Sequence, residues 1–106
     1  LRHVLDLFPG LDVIAAHFGG YSMYETAREC LQDTDCVMDI SSSIMFMEPG
    51  LPEKYINLYG AERIAYGSDY PLFDPVEEIE RFMRLDLTES QREQILHKTA
   101  ERILRL

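Results

Sequence analysis

What this chain has little of narrows the field before any motif is read. It holds only two cysteines, Cys30 and Cys36, too few for a four-thiolate zinc site and unlike a disulfide-stapled secreted domain. Cys30 falls in a helical pattern and Cys36 opens a strand pattern, so both read as buried free thiols. No apolar run approaches the ~18 residues that a membrane helix needs, and no signal-peptide pattern is visible. Those absences point to a reduced, cytoplasmic setting without membrane contact. Positive charge is scarce as well: 10 Lys and Arg stand against 19 Asp and Glu, a net charge of −9. That balance disfavours nucleic acid and anionic lipid surfaces as partners. The acidic residues are spread over helical stretches (Glu77, Glu78, Glu80, Glu89, Glu93) and form no tail, as on solvated helix faces. A Gly-rich phosphate loop, a nucleophile elbow and a Cys/His metal cluster are all missing.

What is present is enough apolar content, 46% over 106 residues, to build the core of one small domain. Three short apolar runs have strand character, at about residues 12–17, 36–40 and 63–67. Helical patterns separate them. One spans about Met23 to Leu31, behind a Ser22-Met23-Tyr24-Glu25 capping box. A second runs from Glu53 to Tyr59, opened by Pro52 and stopped by Gly60. After the third strand, Asp74-Pro75-Val76-Glu77 opens an acidic helix over about 75–85, with Asp74 as N-cap and Pro75 at the first position. Thr88-Glu89-Ser90-Gln91 caps a last helix with the stripe Ile95, Leu96, Ala100, Ile103 and Leu104. A helical remnant (Leu1, Val4, Leu5, Phe8) precedes Pro9-Gly10. It starts at once and without Met, as a stretch from within a longer product would. The order α-β-α-β-α-β-α-α predicts an α/β fold with parallel strands joined by right-handed crossovers.

Two strand ends carry chemistry. The first strand stops at His17-Phe18-Gly19-Gly20, and the third stops at Tyr66-Gly67-Ser68-Asp69-Tyr70-Pro71. In parallel α/β folds the carboxyl ends of strands are where ligands and metals are held. Asp74 is the better helix cap, which leaves Asp69 without an obvious structural task. A hard carboxylate oxygen there suits a divalent metal or the orientation of its water. An imidazole at position 17 could act as base, acid or ligand, or sit satisfied in the core. Gly19 and Gly20 let the backbone turn and leave room above it. Counting alternation back from His17 places Ala15 and Val13 on the same inner face, with Ile14 towards the helices. On the third strand Ala65, Gly67 and Asp69 share one face and Ile64 and Tyr66 the other. Asp39 and Ser41 end the second strand at the same level, where a turn-capping role is the simpler reading. Met45, Phe46 and Met47 could line an entrance or be buried, and His3 and His97 lie in helices.

Val13-Ile14-Ala15-Ala16-His17-Phe18-Gly19-Gly20, followed some fifty residues on by Tyr66-Gly67-Ser68-Asp69-Tyr70-Pro71, resembles the C-terminal part of the metal-dependent amidohydrolase superfamily. The similarity is to its amidohydrolase-2 branch, which holds aminocarboxymuconate-semialdehyde decarboxylase, related aromatic-acid decarboxylases and several hydrolases. The resemblance implies part of a TIM (β/α)8 barrel, with these three strands as its sixth to eighth. It implies that Asp69 is a metal ligand and that His17 is the acid/base beside the metal, or a ligand in some members. Tyr70 and Pro71 would shape the pocket wall, around a small-molecule substrate and a divalent metal, with zinc the first expectation. The last helix has Thr99-Ala100 where the branch usually carries Asn-Ala. The branch's His-x-His pair and its fifth-strand His have no counterpart here, and a complete barrel takes ~250 residues. The expectation is therefore that this chain alone holds no catalytic metal, turns over nothing, and self-associates through exposed sheet edges. The alternative is a stand-alone α/β module that binds a ligand or partner and uses His17 and Asp69 structurally.

Overall fold

The computed structural model describes residues 1–106. At its centre lies a three-stranded parallel sheet in the order β1-β2-β3, formed by Ile14–Ala15, Val37–Asp39 and Ile64–Ala65. Parallel neighbours need a crossover between them. Helix α2 (Tyr24–Leu31) and helix α3 (Leu51–Tyr59) fill those two crossovers. Helix α1 (Arg2–Leu7) precedes the sheet and α4 (Pro75–Met83) follows it. The C-terminal helical segment consists of α5 (Glu89–Glu93), a π-helical turn (Gln94–Lys98) and α6 (Thr99–Leu104). The element order read from the sequence therefore stands, but the strands are shorter. Pairing ends early because the backbone leaves extended geometry at His17 (φ 59°) and Ser42 (φ 47°).

Local chemistry explains two of the helix starts. Asp74 accepts a 2.8 Å bond from the Val76 N–H, with Pro75 behind it. Thr88 and Gln91 form the predicted capping box. The box predicted at Ser22 does not form: Met23 is the N-cap and Ser22 lies at φ 53°. Glu25, its other half, is drawn to Arg28 and to the Tyr55 hydroxyl at 2.9 Å.

The helices cover one face of the sheet. Register places Ala15 beside Met38 and Met38 beside Ile64, and all three join a core with Phe18, Leu31, Ile56, Phe82 and Ile95. Strand β1 thus runs opposite to the predicted alternation. Ala15 and Val13 pack towards the helices, while Ile14 is 47% exposed on the other face. The cause is the left-handed pair His17 and Phe18, which breaks the two-residue period, so alternation cannot be counted back from His17. On β3 the alternation holds, and Ile64 and Tyr66 lie in or against the core.

Three stitches tie the layers together. The Arg63 guanidinium donates to the carbonyls of Leu31 (2.8 Å), Gln32 (2.9 Å) and Cys36 (3.1 Å), fastening the end of α2 to the start of β2. The Tyr66 N–H, on the outer edge of β3, donates to the Ile95 carbonyl in the π-turn at 2.8 Å, so this edge is capped at one point. Buried Thr99 donates to the Ala61 carbonyl at 3.2 Å. Cys36 is buried as predicted, but Cys30 is exposed, because it lies off the Ala27–Leu31 stripe that α2 buries. No helix is long and apolar enough to cross a membrane.

Candidate functional site

At the carboxyl ends of the strands lies a hollow of about 290 Å³ bordered by His17, Tyr21, Ser42, Phe46, Asp69, Leu72 and Phe73. His17 reaches it from the end of β1. Here the chain bends through three left-handed residues, His17, Phe18 (φ 51°) and Gly19 (φ 84°). Phe18 anchors the bend with a fully buried ring. A Cβ on Gly19 would lie 2.8 Å from Leu31 Cδ1, and one on Gly20 would lie 3.4 Å from Ala27 Cβ. Gly19 therefore makes room for α2, while Gly20 packs at ordinary contact with it. The space that Gly19 leaves is taken by the helix and does not lie above the imidazole as predicted. The His17 ring is held by β2: its backbone N–H donates to Asp39 Oδ1 at 3.0 Å. Its Nδ1 lies 2.9 Å from the Ser41 carbonyl oxygen and 3.0 Å from Ser41 Oγ. Tyr21 meets the ring edge-on at 5.8 Å, and Phe46 in turn meets Tyr21 at 6.0 Å.

Asp69 enters the same hollow from beyond β3, also left-handed at φ 61°. Ser42 donates to its Oδ2 at 2.7 Å, and Oδ1 takes no bond within the chain. The Asp69 carbonyl accepts the Leu72 N–H at 2.9 Å. That turn puts Tyr70 and Pro71 at its tip, with Tyr70 74% exposed, and returns Leu72 and Phe73 to the hollow. On this side the hollow is bordered by Leu72 and Phe73, with Tyr70 and Pro71 at the tip of the turn beside it. Asp69 caps no helix, since Asp74 does so.

Three bordering residues, His17, Ser42 and Asp69, are non-glycine residues with positive φ. Each such conformation costs of order 1–3 kcal/mol and survives only where the surroundings over-determine it, as at binding and catalytic sites. Sequence reading missed Tyr21, Ser42 and Phe73. The one signal for Ser42 was the run Ser41-Ser42-Ser43 at a strand end, three hydroxyls that the fold buries. Asp39 and Ser41 cap their own turn, with the Ser41 N–H donating to Asp39 Oδ1 at 3.0 Å. His3 and His97 lie outside the hollow, and exposed His97 pairs with Glu101.

The border holds one carboxylate and no Lys or Arg, an electrostatic setting for a cation. As donors, a free carboxylate oxygen and an imidazole nitrogen fit part of a divalent ion's shell. No third His, Cys, Asp or Glu joins them, whereas catalytic zinc keeps three protein ligands.

Comparison with known proteins places this geometry. The amidohydrolase-2 family model, described as amidohydrolase, matches residues 1–106. No curated protein sequence matches. Among solved structures, an uncharacterised TIM-barrel protein from Bordetella bronchiseptica superposes with a TM-score of 0.76 at 26% identity, over 98% of this chain and 37% of that one. A dihydroxybenzoic acid decarboxylase from Polaromonas, with bound manganese and the inhibitor 2-nitroresorcinol, gives 0.76 at 18% identity, over 99% and 37%. A putative 2-pyrone-4,6-dicarboxylic acid hydrolase from Pseudomonas putida gives 0.70 at 23%, over 99% and 48%. The chain thus spans less than half the length of these structures, and its parallel sheet with covering helices is part of a TIM barrel.

Proposed function

The chain is a member of the amidohydrolase-2 family, and on that premise we propose that it forms one side of the active site of a metal-dependent barrel enzyme. The reaction is hydrolysis, or non-oxidative decarboxylation, of a small organic substrate. The observation that carries this reading is that an imidazole and a carboxylate, from the ends of β1 and β3, border one hollow at the same end of the sheet. The decarboxylase and hydrolase likenesses support both reactions and separate neither. Membership of an enzyme family also speaks against a stand-alone binding module.

In this reading the three strands are the sixth to eighth of the barrel. Asp69 would hold the cation, its Oδ1 free of partners within the chain, while Ser42 keeps Oδ2 in place. When bound, a divalent metal supplies an activated water or a polarised substrate oxygen. His17, its Nδ1 engaged by Ser41, exchanges a proton through Nε2. Tyr21, Phe46 and Phe73 exclude water on one side, and Tyr70 and Pro71 contact substrate from the turn tip once the remaining strands close the barrel.

The test is made on the reading frame that contains this chain, where a His-x-His pair after an upstream apolar strand is expected. The intact barrel should carry a divalent metal by elemental analysis, and Asp69→Ala should lose it. His17→Asn should keep the metal and lose about 10²–10⁴-fold in turnover. The 106-residue chain alone should hold no stoichiometric metal and should self-associate in sedimentation. Tight divalent binding by the monomeric chain, or full activity in Asp69→Ala, would overturn the reading.

A further inference from the structure

The middle strand ends in a carboxylate that the proposed chemistry leaves unused. Asp39 Oδ1 accepts three hydrogen bonds, from the backbone N–H of His17 (3.0 Å), the backbone N–H of Ser41 (3.0 Å) and the Ser41 hydroxyl. The third fixes the direction of the next contact. A serine hydroxyl has a single proton, and once it is given to Asp39, Ser41 Oγ has only lone pairs to offer His17 Nδ1, 3.0 Å away. The other atom facing Nδ1 is the Ser41 carbonyl oxygen at 2.9 Å, which can only accept. That carbonyl is itself held by the Ser43 hydroxyl at 2.8 Å. A ring nitrogen between two acceptors must carry the proton, and in a neutral imidazole the other nitrogen then carries the lone pair.

We infer that Asp39 is a positioning residue which, through Ser41, holds His17 in its Nδ1–H tautomer and leaves Nε2 as the acceptor. The same carboxylate takes the His17 backbone N–H, so one group secures both the ring's tautomer and its left-handed backbone. Gly67, just past β3, packs beside the arrangement: a Cβ there would lie 3.4 Å from Asp39 Cγ, at van der Waals contact. Charge matters, because a hydroxyl donates more strongly to a carboxylate than to a neutral oxygen. An amide at position 39 would keep its oxygen towards the two backbone N–H groups and, being neutral, would hold the Ser41 hydroxyl less firmly. The inference deepens the reading of His17 as the proton-exchanging group and rests on it for its functional meaning. Its test needs neither metal nor turnover.

That test is a long-range proton–nitrogen correlation spectrum of the chain with nitrogen-15-labelled histidine, in chelator, about two pH units above the ordinary imidazole value. His17→Asn identifies the His17 signals. The unaltered chain should show His17 with the proton on Nδ1. Asp39→Ala, which frees the Ser41 hydroxyl to turn towards Nδ1 while the Ser41 carbonyl stays in place, should raise the Nε2–H share measurably. Exposed His97 serves as the internal control and should not change. Should Asp39→Ala fail to fold, Asp39→Asn reads the same link more weakly, since its neutral oxygen accepts the Ser41 hydroxyl less strongly, and it must still raise the Nε2–H share. Nε2–H in the unaltered chain, or an unchanged tautomer in the folded variant, overturns the inference. Because no activity is measured, a wrong family mechanism would leave this result standing, and a wrong tautomer would leave metal binding by the intact barrel untouched.

Discussion

The helix-covered face of the sheet and the rim at its strand ends differ in what they bury. On the helix-covered face, Ala15, Met38 and Ile64 lie in register beneath Phe18, Ile56, Phe82 and Ile95, and the large side chains there are sealed from solvent. At the strand ends, the hollow gathers an imidazole, a carboxylate and three aromatic rings, and three of its bordering residues have left-handed backbones. One region stores stability and the other spends some of it, the division expected where catalytic groups sit at the carboxyl ends of parallel strands. Its lesson is that a variant's effect follows from the layer it touches more than from its size.

Two phenylalanines break or sharpen that contrast most. Phe82 is fully buried against Tyr66, whereas Phe46 borders the hollow and is 56% exposed. Phe82→Ala should cost about 3–5 kcal/mol in denaturant unfolding. Phe46→Ala should cost under about 1 kcal/mol. Equal losses would show that the hollow is part of the core.

The next comparison lies on the boundary between the layers. Gly19→Ala places a Cβ against buried Leu31 at a left-handed backbone position and should cost about 1–3 kcal/mol. Gly10→Ala, where nothing lies within 4 Å of a Cβ, should change stability by less than about 0.5 kcal/mol. Thermal melts of the pair suffice. A neutral Gly19→Ala would mean that the His17 bend is not pinned by α2.

The same contrast separates what could be read from the sequence from what could not. The Asp74 and Thr88 caps were legible, since each rests on neighbours within one helical turn, and parallel order followed from the alternation of strand and helix patterns. Asp69 was legible by elimination, because Asp74 already filled the cap. Ser42, Tyr21 and Phe73 were not, since the contact with Asp69 spans 27 positions and no local pattern encodes it. The reversed alternation of β1 shows the limit most plainly. A period of two holds only while the backbone stays extended, and nothing in Ala16-His17-Phe18 announces a left-handed pair. The same turn geometry brings Leu72 and Phe73 to the hollow, which the spacing from Asp69 did not announce.

The smallest effect concerns a flaw in the sealed layer. Tyr59 is 4% exposed and stacks on Tyr55, with Arg63 near its ring, yet its hydroxyl has no hydrogen-bond partner. Burial pushes its pKa up from 10.0 to about 12. Below pH 10 the phenol keeps its proton folded or unfolded, and this group adds no pH dependence. Between pH 10 and 12 the unfolded chain releases the proton while the folded chain retains it, so the unfolded state binds fewer protons and stability falls as pH rises. The loss integrates to at most about 2–3 kcal/mol. Tyr59→Phe removes the unpartnered oxygen and should add about 1 kcal/mol at neutral pH, while flattening part of the alkaline decline. Tyr55 and Tyr66 should keep the rest, since burial raises both. Denaturant unfolding at pH 7, 10 and 11 checks this. A destabilised Tyr59→Phe, or an unaltered slope, would show that the hydroxyl is satisfied after all and that the helix-covered face is less uniformly apolar than its burial implies.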